Sequence, residues 1–123
     1  VQAPASQQRA RDEFACDVDS VDGITVVTVH GELDLASAPT LCGEIEATFR
    51  DPGARVLVDL TPLQFCDSTG LRALLGVVRE ARVHGVQLRI VAPTAAAAVR
   101  ALELAGGAEF LPLVPSRDEA YEG

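Results

Sequence analysis

Hydrophobic positions along the chain switch repeatedly between the period-two spacing of strands and the 3.6-residue spacing of helices. Over residues 13–18 they alternate, with Phe14, Cys16 and Val18 on one face, and after a turn-rich stretch at 19–23 a β-branched run at 24–30 predicts the second arm of a hairpin. Gly31-Glu32-Leu33-Asp34 ends that strand, and Ser37 with Pro39 predicts a helix start, since serine caps free N–H groups and proline fits the first turn. Leu41, Ile45 and Phe49 recur every four residues, giving a helix that stops at Asp51-Pro52-Gly53. Residues 56–60 are continuously apolar apart from Asp59, as a strand buried on both faces must be, and belong in the middle of a sheet. A short loop then ends at Cys66-Asp67-Ser68-Thr69-Gly70, and Leu71, Leu74, Leu75, Val78 and Ala81 take up helical spacing.

Gly85 closes that helix, and Val86, Leu88 and Ile90 alternate against Gln87 and Arg89 as a further strand. Thr94 is placed to cap a third helix with Ala98, Val99, Leu102 and Ala105 inward and Gly106-Gly107 as its stop. Pro112 breaks a short edge strand over 110–113, and Ser116 with Glu119 has the capping-box spacing for a half-formed helix around Tyr121. The predicted order is ββαβαβαβα. Single helices between strands imply right-handed crossovers, so the fold class is α/β with a mixed, mostly parallel sheet and one antiparallel hairpin edge. Residues 1–11, rich in Ala, Pro and Gln, read as a flexible tail ahead of one domain over 12–123.

Composition narrows the chemistry. An apolar content of 48% supports a packed core, filled by Val, Leu and Ala because aromatics are only 4%. The formal net charge of -8 would repel a phosphate backbone, so nucleic acid is not an expected partner. All ten basic residues are arginine, which rules out a P-loop lysine or a Schiff-base lysine. Cys16, Cys42 and Cys66 are far apart with no CxxC, and His30 and His84 do not group with them; a zinc site or disulfide scaffold is not expected, and a reducing cytoplasm is. No apolar run is long enough for a transmembrane helix, so no membrane association is expected.

The strand-turn-helix join delivers Ser68 beyond the carboxyl end of a central strand, where function is expected in α/β folds. Two readings stand open there. Asp67 or Ser68 is a helix N-cap and no more, or Ser68 is a phosphoacceptor, its added charge accommodated by free N–H groups and the positive end of the helix dipole. At about 100° per residue, Ser68, Arg72, Gly76 and Arg79 stack on the outer face of the helix. They form either a solvated face or a docking strip in which Gly76 leaves room for close approach. A serine hydrolase is rejected: the nucleophile elbow needs Gly-x-Ser-x-Gly and Cys66 occupies the first glycine. The histidine that follows, His84, lies on the same helix, over roughly 20 Å away at about 1.5 Å per residue. Glu32 and Asp34 point to opposite sides of a strand end, so capping or docking suits Asp34 better than acid/base work. Cys66 reads as a small buried filler.

Taken together, Gly31-Glu32-Leu33-Asp34, Val58-Asp59-Leu60, Leu63, Phe65 and Asp67-Ser68-Thr69-Gly70-Leu71 resemble the STAS domain of bacterial anti-sigma factor antagonists, a resemblance running from about residue 13 to residue 121. It implies a binding module without catalytic activity or cofactor. The unmodified form would bind an anti-sigma factor that is also a serine kinase, freeing a sigma factor. The kinase would phosphorylate Ser68 and a phosphatase would restore it. Asp34, Asp67, Thr69 and Gly70 are implied contact residues, beside Arg72 and Gly76 from the helix face. The alternative is a STAS scaffold or transporter-appended domain with no phospho-switch. Cys66 departs from the family, which often has a larger apolar residue there.

Overall fold

Asp22 and Gly23 both take positive φ, 52° and 79°, forming the two-residue turn whose twist matches that of the strands it joins. Strand β1 (Ala15–Val21) therefore pairs antiparallel with β2 (Ile24–Leu33) in unbroken register from Ala15 opposite His30 to Val21 opposite Ile24. The turn is shorter than the predicted 19–23 because this Asp-Gly pair alone reverses the chain. The computed structural model describes residues 13–121, so the expected tail over 1–11 lies outside the described residues.

Helix α1 (Ala38–Glu46) follows, then β3 (Arg55–Asp59), β4 (Leu63–Cys66), α2 (Ser68–Val83), β5 (Gln87–Val91), α3 (Ala96–Leu104), α4 (Gly107–Phe110) and β6 (Leu113–Val114). The sheet order is β1-β2-β3-β5-β6, with every contact after the hairpin parallel, and β4 pairs with the far end of β2. Residues 56–60 lie at the centre and are buried, as their apolar run requires. The α/β class with a mixed, mostly parallel sheet is thus the observed one.

The element order differs from ββαβαβαβα at three places. β4 has a buried–exposed–exposed–buried pattern, so its four residues show no alternation from which a strand can be read. The predicted edge strand over 110–113 is replaced by α4 and by β6, shifted to Leu113–Val114. Around Tyr121 the chain forms a turn over residues 118–121 instead of a helix, because its side chains are committed to the sheet. The predicted cap of the third helix also has another partner. The Thr94 hydroxyl donates to the Thr61 carbonyl at 3.2 Å, and α3 starts after Ala95 with no side-chain cap. Val99 is half-buried and Ala105 exposed, leaving Ala98 and Leu102 as the inward residues of α3.

Both faces of the sheet are covered, by different means. Val27 and Val29, Val56 and Val58, Leu88 and Ile90 face the helices and share one core with Leu41 and Ile45 of α1, Leu74 and Val77 of α2, and Ala98 and Leu102 of α3. On the reverse face Val26, Leu57 and Val91 meet Ala120 and Tyr121. That C-terminal segment is fastened by polar contacts. The Tyr121 hydroxyl lies 2.5 Å from the Val56 carbonyl and 2.8 Å from that of Gln87, and the guanidinium groups of Arg55 and Arg89 lie 5.9 and 5.6 Å from its ring centre. Burial pushes the Tyr121 hydroxyl up to about 12, so it stays a donor at neutral pH. Arg117 pairs with the buried Asp59 at 2.6 Å and donates to the Thr28 hydroxyl at 3.0 Å.

Burial alone would raise the Asp59 carboxyl, but donation from Thr61 and the pairing with Arg117 outweigh it and hold the group below the ordinary carboxylate value. A carboxyl more acidic in the folded than in the unfolded chain stabilises fully above the unfolded value of about 3.9, and that contribution is lost as the pH falls through the folded value. Arg117→Ala is expected to cost about 1–3 kcal/mol at neutral pH by leaving a buried charge short of its partner. It should also flatten the loss of stability in acid. Denaturant titrations of both proteins at neutral pH and at about pH 3 measure this; an equal loss at both would show that the pair adds no charge-dependent stability.

Candidate functional site

Two separate stretches meet at the carboxyl end of the sheet. Strand β2 follows β3 only as far as Thr28; from Gly31, where φ is 86°, it pairs with β4, with a register shift between Gly31 and Glu32. A side chain on Gly31 would run into the Glu13 carbonyl, so the residue is fixed by conformation and by space. Leu33 at the end of β2 then accepts a hydrogen bond at 3.1 Å from the Asp67 N–H, at the end of β4. This one bond brings the residue after Leu33, Asp34, to the same end as the residue after Asp67, Ser68.

Each predicted residue can be placed. Asp67 is the N-cap of α2, with extended backbone, and its Oδ1 accepts from the Gly70 N–H at 2.8 Å. Ser68 is thereby relieved of capping. It opens α2, is exposed, and its hydroxyl makes no hydrogen bond among the described residues. Thr69 is half-buried, Arg72 exposed and Gly76 partly exposed, with nothing within 4 Å of where a Gly76 side chain would begin. Gly70 is buried: a Cβ there would lie 2.6 Å from the Leu33 carbonyl oxygen and 2.9 Å from the Cys66 sulfur. It serves the site by letting α2 approach β2, and offers no surface itself.

Asp34 shapes its own loop. Its Oδ1 accepts from the N–H groups of Ala36 and Ser37 at 3.0 and 3.1 Å, ahead of α1. Ser37, predicted as the cap of α1, makes no cap hydrogen bond; its hydroxyl donates to the Glu32 carbonyl at 2.8 Å and accepts from the Asp34 N–H at 2.9 Å. Burial, followed by the charge of Asp67, pushes the Cys66 thiol up to about 11, so it stays protonated and acts as filler. His84 lies at the other end of α2 from Ser68, its ring bonded to the Glu80 carbonyl at 2.8 Å. No acid/base partner for Ser68 is formed there. Among the described residues no group of three His, Cys, Asp or Glu side chains gathers to hold a metal ion. No described helix is long and apolar enough to cross a membrane.

Sequence reading did not single out Leu35 and Phe65 as surface residues, yet they are 74% and 39% exposed at this same end. Leu35 follows Asp34, and Phe65 pairs across the sheet with Glu32. Their apolar surface beside a free hydroxyl suits protein docking. No signal separated Phe65 from a core residue, because the strand carrying it was itself illegible.

Helices thus cover one face of the sheet and the C-terminal segment the other, and an exposed serine stands at the capped start of α2. The STAS domain family model matches residues 15–120. BtrV of Bordetella bronchiseptica, which carries the name anti-sigma factor antagonist, is 31% identical over 104 residues, covering 84% of this chain and 88% of that protein. The crystal structure of an anti-sigma factor antagonist from Mycobacterium paratuberculosis superimposes with a TM-score of 0.76 at 30% identity, over 89% of this chain and 92% of that one. The anti-sigma factor antagonist SpoIIAA in its unphosphorylated form shares the fold at 21% identity, with a TM-score of 0.66 over 85% of this chain and 90% of that one. The chain belongs to the STAS domain family.

The contrast between the two helix glycines is testable. Gly70→Ala is expected to destabilise by about 1–3 kcal/mol, because backbone and a packed side chain block the new methyl group. Gly76→Ala, facing open space, should be neutral or stabilising by up to about 1 kcal/mol. Denaturation midpoints of the two variants measure this, and a Gly70→Ala protein as stable as the parent would disprove the close approach of α2 to β2.

Proposed function

We propose that this chain is an anti-sigma factor antagonist whose partner choice is set by phosphorylation of Ser68. The unmodified protein binds an anti-sigma factor that is also a serine kinase, and so releases a sigma factor. Transfer of the ATP γ-phosphoryl group to the Ser68 oxygen, with ADP leaving and the hydroxyl proton passing to a base on the kinase, ends that binding. A phosphatase hydrolyses the ester and restores the serine. The chain acts in this cycle as substrate and ligand, with no catalytic residue of its own, and the setting is cytoplasmic.

The observation that carries this reading is the division of labour between neighbours: Asp67 caps α2, and Ser68 is left exposed with a free hydroxyl at the helix's positive end. A phosphate there brings roughly -1.5 to -2 charges. The helix N-terminus accommodates them, so modification changes the docking surface and leaves the fold in place. Asp34, Thr69, Arg72 and Gly76, with Leu35 and Phe65, supply the surrounding contact area, and Asp67 and Gly70 hold the hydroxyl in position. The family names of the relatives that resemble this chain support the same partner class.

Incubation with the cognate kinase and ATP is expected to add one phosphoryl group, at Ser68, and none to Ser68→Ala; intact-mass and peptide mass spectrometry read this out. Ser68→Ala should retain anti-sigma factor binding, while Ser68→Asp should lose it at least about tenfold, or about 1.4 kcal/mol. Phosphoryl transfer that persists in Ser68→Ala would reject the acceptor. Binding by Ser68→Asp equal to that of the parent would favour a scaffold without a switch.

A further inference from the structure

The outer side of α2 differs in charge from the rest of the molecule. Over Ser68–Val83 three arginines face a single acid, Glu80, a net charge of +2 in a chain whose total is -8. Glu80 lies 3.8 Å from His84. Arg72, Arg79 and Arg82 are exposed, and among the described residues the ion pairs within 4.0 Å are His30–Asp17, His84–Glu80 and Arg117–Asp59. None of the three α2 arginines therefore has a carboxylate partner there. Beside them runs an open trough. One part, of about 180 Å³, is walled by Leu75, Val78, Arg79, Arg82 and Phe110, and the adjoining part, of about 140 Å³, shares Val78 and Arg82 and continues to Pro112. Phe110, the last residue of α4, stands 63% exposed on its rim.

We propose that this strip and trough form a docking surface for an acidic segment of the anti-sigma factor that carries an apolar side chain; the identity of the partner rests on the function proposed above. Charge complementarity selects the occupant. Unpaired guanidinium groups are weakly hydrated forks that fit carboxylates, and an acidic surface is the kind that the rest of this acidic protein would repel. Phe110 and the trough floor supply the apolar anchor that charges alone lack. Arg79 lies roughly 16 Å along the helix from Ser68, at about 1.5 Å per residue. That falls within a single interface of roughly 800 Å² per partner. The strip also connects to the switch. Arg72 sits one turn after Ser68, at the spacing where helix side chains meet, so a phosphate on Ser68 competes with the partner's carboxylates for the nearest arginine.

The test is calorimetric titration of the purified cognate anti-sigma factor into the full chain at low and high salt. Arg79→Glu with Arg82→Glu is expected to weaken binding by about tenfold or more at low salt, an effect that shrinks as salt screens it. Phe110→Ser should weaken it at both salts. The charge-matched control, Arg50→Glu with Arg100→Glu, exposed elsewhere, should stay within about twofold of the parent. Melting curves establish that all variants are folded. Parent-like binding by the Arg79/Arg82 variant, or an equal loss in the control, overturns this surface. If Ser68→Asp loses binding while the Arg79/Arg82 variant does not, the surface fails and the switch stands. If the Arg79/Arg82 variant loses binding while Ser68→Asp does not, the surface stands and the switch fails. An anti-sigma factor that does not bind the parent chain overturns both.

Discussion

The hydrogen bond from the Asp67 N–H to the Leu33 carbonyl is the contact on which the site depends. It joins the end of β4 to the end of β2, and so places two loops, remote in sequence, side by side. The bond requires α2 to start hard against β2, where a Cβ at position 70 would lie 2.6 Å from the same Leu33 oxygen. Gly70 is therefore demanded by space, and Gly31, where β2 begins to pair with β4, by backbone conformation as well. Asp67 completes the arrangement with its side chain, and Ser68 is left with nothing to hold.

The two faces of the sheet are built on different physics. The helix face is an ordinary apolar core, in which Val and Leu from three strands meet three helices. The reverse face is small and held by a strap whose anchors are polar: Arg117 on the buried Asp59, and the Tyr121 hydroxyl on two carbonyl oxygens. Buried polar groups need partners, and here Arg117 supplies one for the Asp59 carboxylate and the strand carbonyls supply one for the Tyr121 hydroxyl. Asp59, the last residue of the most apolar strand, thus takes part in folding, while Ser68 stands exposed at the carboxyl end of the sheet.

Much of this was legible in order along the chain. Alternation and helical spacing were enough for the hairpin, the central strand and the helix after Ser68, since each buries one continuous stripe or run. The Asp67-Ser68-Thr69-Gly70 turn was legible as a helix start, and the exposed face through Arg72 and Gly76 followed from angular spacing. β4 was not legible, because its inward residues are Leu63 and Cys66 with two exposed residues between them, a pattern belonging to no regular period. The capping-box spacing of Ser116 and Glu119 pointed to a helix that the tertiary contacts of Arg117 and Tyr121 override.

Sequence alone determined the class of fold, the position of Ser68 at a strand-to-helix join and the all-arginine, acidic character of the chain, because these depend on residue type and local spacing. Only the tertiary structure decided which of Asp67 and Ser68 caps the helix, that Gly70 is buried against Leu33 and Cys66, that Asp34 lies at the same end as Ser68, and that Phe110 rims a trough beside the α2 arginines. Those outcomes depend on which backbone atoms approach which others across long stretches of sequence. A one-dimensional pattern does not contain that information, whereas a single carbonyl oxygen shared by two distant segments does.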